Sequence, residues 1–455
     1  MHGEQHNPAG AHPGAPQVHI SPHPAEWKPR VPDNKARRCR DQLGLPTDRQ
    51  IVLSGHQAGF WHPGILAKRL SAQACAAAHQ AEPVWLVVDQ DDNDPAAIRR
   101  PDVGAHDRLV ERTVDLDADT HAPGTPTASR PPLAPRNSGD APIDAPAEAM
   151  IRAMDRCSGE TSLARQAAGA AELLAAELTQ TPPVRLVYCT DLVCTDAFGD
   201  LLDHLAAYPR AAVESYNAAA AEVPGAQVRP LTSRPDAGRY ELPLWRLRDG
   251  EPRVPVYSTS LPRIPRDQLA PRALLMTLLC RRVIADLFIH GTGGGAYDLA
   301  TERWAREWLG EDLAPMTVAT ASLTLDLGVE PITEADLAEA RWRAHHARHD
   351  PRELGDLDAA DAKDRLLRRV RTEADPSEPF AEMHELLADY RARHADRLAA
   401  LDAEAHRLAE GMAQGRLAAD RTWPFPLHEP ARLRELRGEI DHRFGLDRLS
   451  RGTGR

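Results

Sequence analysis

The chain reads IVLSGHQAGFWHPGILAKRL from Ile51 to Leu70 and EPVWLVVDQDDNDP from Glu82 to Pro95. No other succession in it constrains the fold as much. Ile51, Val52, Leu53 and Ser54 predict a short buried strand. The run from Pro63 to Gln80 predicts a helix, with Pro63 suited to its first turn and Ile65, Leu66, Leu70 and Cys75 at helical spacing. Val84 to Val88 predict a second buried strand. Strand, helix, strand within about 40 residues is a βαβ unit, whose strands run parallel. Parallel strands end at the same sheet edge. The His-Gln turn after the first strand and the acidic run Asp89, Asp91, Asp92 and Asp94 after the second therefore face one crevice, where open α/β sheets take ligands.

The same grammar recurs. A helix is expected from Pro146 to Leu178, then a strand from Val184 to Tyr188, a polar turn with Thr190 and Asp191, and another helix. YELPLWRLRDGEPRVPVYS predicts a β-hairpin over 240–258 with Asp249-Gly250 as its turn. A strand through Leu287, Phe288 and Ile289 runs into His290, the glycine loop Gly291, Gly293, Gly294 and Gly295, and a helix from about Ala296. Glycines there let backbone amides approach an anion at a helix N-terminus. A structural tight turn explains the loop equally well, since its spacing matches neither a dinucleotide fingerprint nor a P-loop.

Outside these units the chain changes character. Residues 1–25, rich in Pro, Gly and His, predict a mobile tail, and the Pro/Ala/Gly/Ser-rich residues 115–145 a flexible insertion. The core is thus expected over 26–330. Residues 331–455 read as helical, with Thr333 capping a helix from Glu334. Apolar residues from Phe380 to Met412 recur at three- and four-residue steps, with one gap after Tyr390. They predict a long coiled-coil-like helix over about 379–412, spanning about 50 Å. Its one-sided seam makes a homodimer, or an arm folded over the crevice, the expected outcome.

Composition excludes several classes. With 42% hydrophobic and 27% charged residues among 455, and no apolar run long enough to span a bilayer, a soluble protein is expected. The N-terminus lacks a basic region followed by an apolar core, so the cytoplasm is the expected location. A net charge of -12 disfavours nucleic acid as a partner. Six cysteines without CxxC spacing read as reduced core thiols, and no metal site is assigned. Only four of the 55 basic residues are lysines. This draws attention to Lys68, because a lysine brings a compact charge to a phosphate.

Together GHQAGFWHPGILAKRLSA, EPVWLVV running into DQDDND, and HGTGGGAYD resemble the bacillithiol-synthesis cysteine-adding (BshC-type) enzyme family, over about Ile51 to Trp308. The likeness implies an α/β fold with a Rossmann-like parallel-sheet core, insertions and a C-terminal coiled coil. It also implies a ligase joining cysteine, or a related amino acid, to an amino-sugar such as glucosaminyl malate. Gly55 and Gln57 match the family's first loop, with His56 in place of its middle glutamine, and Lys68 matches its helix lysine. Asp91, Asp92 and Asp94 match its acidic cluster only with one residue inserted. Gly293, Ala296 and Tyr297 match its glycine loop, where Gly294 replaces a glutamate.

On that likeness His56 and Asp92 are the expected catalytic residues. Gly55, Gln57, Gly59, His62, Lys68, Gly291, Gly293 and Gly294 are expected to hold nucleotide phosphates. Asp91, Asp94, Asp191, His290, Tyr297 and Asp298 are expected to face the small-molecule substrate. ATP is the implied cofactor, with Mg2+ at an aspartate. The residues themselves leave alternatives open. His56 and His62 also read as loop histidines bonded to backbone, the acidic run as a solvated turn, Asp298 as a first-turn acid and Tyr297 as core. Phe60 and Trp61 read as a hydrophobic plug. The changed motifs keep a second reading in view, a repurposed nucleotide- or metabolite-binding protein assembled through its coiled coil.

Overall fold

The computed structural model describes residues 15–104, 108–117, 119, 121–135, 145–329 and 332–446. Two units form by packing. The larger is built from Ala15–Arg100, Arg112–Leu323 and Arg421–Arg455, and the smaller includes Pro101–Glu111 and Thr324–Asp420. The final helix, Pro430–Arg443, thus belongs with the core and not with the helical region expected over 331–455. The reason is apolar burial: Leu433, Leu436 and Ile440 are fully buried among the residues around Leu66 and Leu70.

The larger unit is organised by a six-stranded sheet. Its strands are β1 (Gln17–Ser21), β2 (Ile51–Gln57), β3 (Glu82–Val88), β4 (Arg185–Tyr188), β5 (Leu287–His290) and β6 (Met316–Ser322). In space they run β4, β3, β2, β5, β6, β1. β2 through β6 are mutually parallel, with Leu53 between Val84 and Phe288, and β1 closes the edge antiparallel to β6. β2 and β3 read as unbroken apolar runs because both faces are covered. Ile51, Leu53, Val84, Leu86 and Phe288 pack towards Trp304 on one face. On the other, Val52, Leu287 and Ile289 pack towards Ala72 and Cys75 of the Pro63–His79 helix.

The βαβ unit and the later strands thus stand where the residue pattern puts them. Several boundaries move. β1 lies inside the tail expected over 1–25, because β6 would otherwise present an open edge; residues 1–14 lie outside the described residues. The helix expected from Pro146 to Leu178 is two, Ala145–Arg156 and Leu163–Thr179. Gly159 lies in the break, and Ser162 caps the second helix by accepting from the Arg165 amide at 3.3 Å. The insertion expected to be flexible over 115–145 contributes a 3-10 turn, Thr127–Ser129. Its Thr127 hydroxyl is buried and donates to the Asp89 carbonyl at 3.0 Å. Positions 118, 120 and 136–144 lie outside the described residues.

The hairpin forms from Arg239–Arg246 and Val254–Tyr257, with Gly250 at φ +67°, a conformation glycine adopts without strain. Leu269–Pro271 pairs along its other side. The glycine-loop helix starts at Gly294, two residues before its expected start, and runs to Leu309.

In the smaller unit, Thr333 and Asp336 form a reciprocal capping box at the helix Glu334–His346. The helix expected over about 379–412 is two, Ser377–Arg393 and Ala395–Ala418, separated at His394. The His394 ring leaves the helical course to meet the Asp356 carboxylate at 3.0 Å, and the Tyr390 hydroxyl donates to the Ala347 carbonyl at 2.7 Å. Met383, Leu387, Tyr390, Leu398 and Leu401 of the predicted seam pack together with Leu354 inside this unit. Among the described residues no helix is long and apolar enough to cross a membrane.

Candidate functional site

Numbering the parallel strands outward from β2 exposes the feature that places the site. β3 and β4 follow on one side of it, β5 and β6 on the other, so chain order reverses between β2 and β5. The helix after β2 packs on one face and the helix after β5 on the other, which leaves a crevice between the carboxyl ends of these two strands. The His-Gln turn and the glycine loop open onto it.

Four basic side chains gather there. Lys68, 4% exposed, reaches back from the helix to donate to the Gly55 carbonyl at 2.5 Å, and its ammonium lies 5.5 Å from the Trp85 ring centroid. Burial pushes its pKa down to about 7. His56 is held well below the usual histidine range, first by burial and then by the nearby charges of Lys68, His62 and His290. An anion placed beside Lys68 and His56 would favour their charged forms. The glycine-loop helix adds backbone dipoles, for no side chain caps its N-terminus at Gly293.

His62 is the N-cap of the helix, its Nδ1 accepting from the Gly64 amide at 3.1 Å. That is the backbone-bonded alternative for this residue. His290 sits tightly on the glycine loop: a Cβ at Gly294 would lie 1.9 Å from its Nδ1. Behind it stands Asp298, fully buried, 3.2 Å from His290 Nε2 and 3.5 Å from the buried Arg281. Asp298 is thus enclosed beside His290 and Arg281.

The glycines divide by cause. Gly55 is required by the sheet, since a Cβ there would lie 2.3 Å from the Leu86 carbonyl oxygen. Gly59 takes φ +138°, which disfavours any side chain. A Cβ at Gly291 would touch Lys68 Cδ at 3.5 Å, and one at Gly293 would meet open space. Trp61, 5% exposed, packs on Trp85 and Phe425 as the plug its composition suggests.

Gln57 links the basic cluster to the acidic loop, donating from Nε2 to Asp91 Oδ2 at 3.0 Å. Arg253, from the hairpin, then pairs with both Asp91 at 2.6 Å and Asp92 at 2.8 Å. Burial acts against ionisation of Asp91, but the bonds from Gln57 and Arg253 outweigh it and hold its pKa low. Asp94 turns away to Arg130 at 3.3 Å, which also pairs with Asp117 at 2.7 Å beside an open recess of about 180 Å³. Asp191 pairs with Arg165 at 2.5 Å, beyond β4. The expected acidic cluster is thus divided between two arginines, Arg253 and Arg130. Among the described residues no three His, Cys, Asp or Glu side chains converge as metal ligands.

Two participants carry no sequence motif, and a third, Asp89, belongs to the acidic run without a role of its own assigned there. Arg253 and Arg130 are single arginines in a chain rich in them, distant in sequence from the loops they bind. Asp89, 1% exposed, accepts from the Thr190 amide at 3.0 Å and from its hydroxyl at 2.5 Å; burial raises its pKa to about 6. Its place at the end of an apolar strand, at the head of the acidic run, was the available signal. No protein-family model matches the chain, and no curated protein matches its sequence.

Proposed function

We propose that the chain is an ATP-dependent carbon–nitrogen ligase built on a Rossmann-like sheet, of the bacillithiol-synthase type its motifs resemble. It would join cysteine or a related amino acid to an amino-sugar such as glucosaminyl malate, in the cytoplasm. The observation that carries this is the gathering of Lys68, His56, His62 and His290 where the chain order reverses between β2 and β5.

The residues present fit a polyphosphate. Lys68 and the imidazoles supply charge, and the uncapped amides after Gly293 supply donors. When bound, ATP would supply the phosphoryl or adenylyl group that activates a carboxylate, with ADP or pyrophosphate leaving. His56, next to Gln57, would stabilise negative charge on the transferred group, in a site where burial makes such contacts count. Gln57 keeps the acidic loop beside it. The amine of the acceptor is drawn to Asp92, the more exposed of the two carboxylates that share Arg253.

A second reading has its own support. Arg253 and Arg130 already occupy Asp91, Asp92 and Asp94, which leaves those carboxylates poorly placed to bind Mg2+. That favours a nucleotide- or metabolite-binding protein without catalysis. Calorimetry with ATP, ADP and AMP, with and without Mg2+, followed by assays for nucleotide cleavage with cysteine and an amino-sugar, separates the two. Binding with cleavage supports the ligase, binding alone the second reading, and no binding overturns the ligase and the nucleotide form of the second reading.

A further inference from the structure

Arg272 follows the short strand Leu269–Pro271, and only 8% of it is exposed. Its Nη1 donates to Glu241 at 2.7 Å, and its guanidinium lies 3.9 Å above the Trp245 ring centroid. Nε and Nη2 are buried and have no acceptor. These two nitrogens form one edge of the planar fork, with two N–H bonds in the same direction. Buried donors left unpaired are costly, and a charged fork more so. Glu241 cannot answer that edge, because Arg229, the Thr232 amide and the Thr232 hydroxyl already share its oxygens.

The surroundings locate this edge at the sheet's carboxyl end. Gln90, just past β3, donates to the Pro271 carbonyl at 3.3 Å, and its own Oε1 is buried without a donor. Tyr216 lies within electrostatic range of Arg272, and Tyr297 within range of Tyr216. Tyr297 opens the glycine-loop helix, and Tyr216 packs edge-on against Trp304 of that helix at 5.2 Å between ring centroids. Arg272 and Gln90 thus leave unpartnered buried polar atoms near the carboxyl end of β3, with Tyr216 in the neighbourhood of the guanidinium.

We infer that Arg272, with Tyr216, Tyr297 and Gln90, forms a carboxylate pocket that anchors one substrate beside the phosphate cluster. The free edge offers two parallel donors at the spacing of a carboxylate's oxygens, the bidentate geometry arginine makes best. Tyrosine hydroxyls add donors, and the Gln90 oxygen accepts from a hydroxyl or amine next to the carboxylate. The inference rests on the crevice being the substrate site, but not on the nucleotide.

Succinate serves as probe and succinamide as its uncharged control, with ligand-observed NMR on the full chain. Broadening of succinate but not succinamide is expected, with at least a ten-fold loss of affinity in Arg272→Lys and a smaller loss in Tyr216→Phe. The pocket is overturned if the native protein leaves succinate unbroadened, or if both variants bind it undiminished. Should Arg272→Lys fail to fold, Tyr216→Phe, which keeps the Glu241 pair, decides by the same criterion. If succinate binds while ATP does not, the pocket stands and the nucleotide reading falls; if ATP binds and succinate does not, the reverse holds.

Discussion

Lys68 donates its ammonium proton to the Gly55 carbonyl at 2.5 Å, so a helix residue closes back onto the strand that leads into its own helix. The contact holds the only buried lysine among the described residues at the mouth of the β2–β5 crevice. It also puts that lysine where its charge is least solvated, and the consequences are measurable.

Burial lowers the Lys68 pKa to about 7, against about 10.4 in an unfolded chain. Between these values the native protein holds fewer protons than the unfolded one. Its unfavourable contribution is therefore complete below pH 7 and is relieved as pH rises towards 10.4, by at most about 1.4 kcal/mol per pH unit. Lys68→Met should flatten this rise. Urea denaturation of both proteins at pH 7 and pH 9 checks it; parallel pH dependences would place the lysine in water.

Anion binding should take up protons. His56 is neutral in the free site, chiefly through burial and then through Lys68, and an anion favours its charged form. Sulfate, which stays a dianion throughout, should bind more tightly as pH falls from 8 to 6. Calorimetry in buffers of different ionisation enthalpy should report net proton uptake, reduced in His56→Ala.

Gly294→Ala should dislodge His290, because the new Cβ would lie 1.9 Å from its Nδ1. Overpacking of this kind costs about 1–3 kcal/mol. A lower melting temperature and a shifted His290 imidazole resonance are expected, together with weaker sulfate binding.

Gln57→Ala removes the 3.0 Å bond to Asp91. The fold should lose only about 1 kcal/mol, the usual net worth of one such bond. ATP affinity should fall several-fold, since the turn is no longer tied to the acidic loop. A large loss of stability with unchanged affinity would make Gln57 purely structural.

Self-association is expected to use apolar residues that the smaller unit leaves exposed. Trp342 is 55% exposed and Phe380 50%. Light scattering of the native chain should show a dimer, and Phe380→Asp with Trp342→Glu should shift it to monomer. A native monomer would show that the predicted seam is satisfied within its own unit.

How much of this was legible depends on the range of the interaction. The βαβ unit, the hairpin turn at Gly250 and the cap at Thr333 follow from neighbouring residues and stand as read. The break at His394 was foreshadowed by the gap after Tyr390, but its position depends on Asp356, which lies well upstream. The basic residues of the candidate site sat in readable loops. The arginines that claim the aspartates did not, because a guanidinium at the end of a long side chain leaves no periodic trace.

The sequence by itself determined the local elements and the sheet edge to which the ligand-type loops belong, because strand periodicity and crossover geometry act between near neighbours. Tertiary structure alone decided which charges meet. It gave Asp91 and Asp92 to Arg253, set Asp298 behind His290, and left one edge of Arg272 without an acceptor. The physical reason is that an ion pair forms between side chains that packing brings within about 4 Å, whatever their separation along the chain.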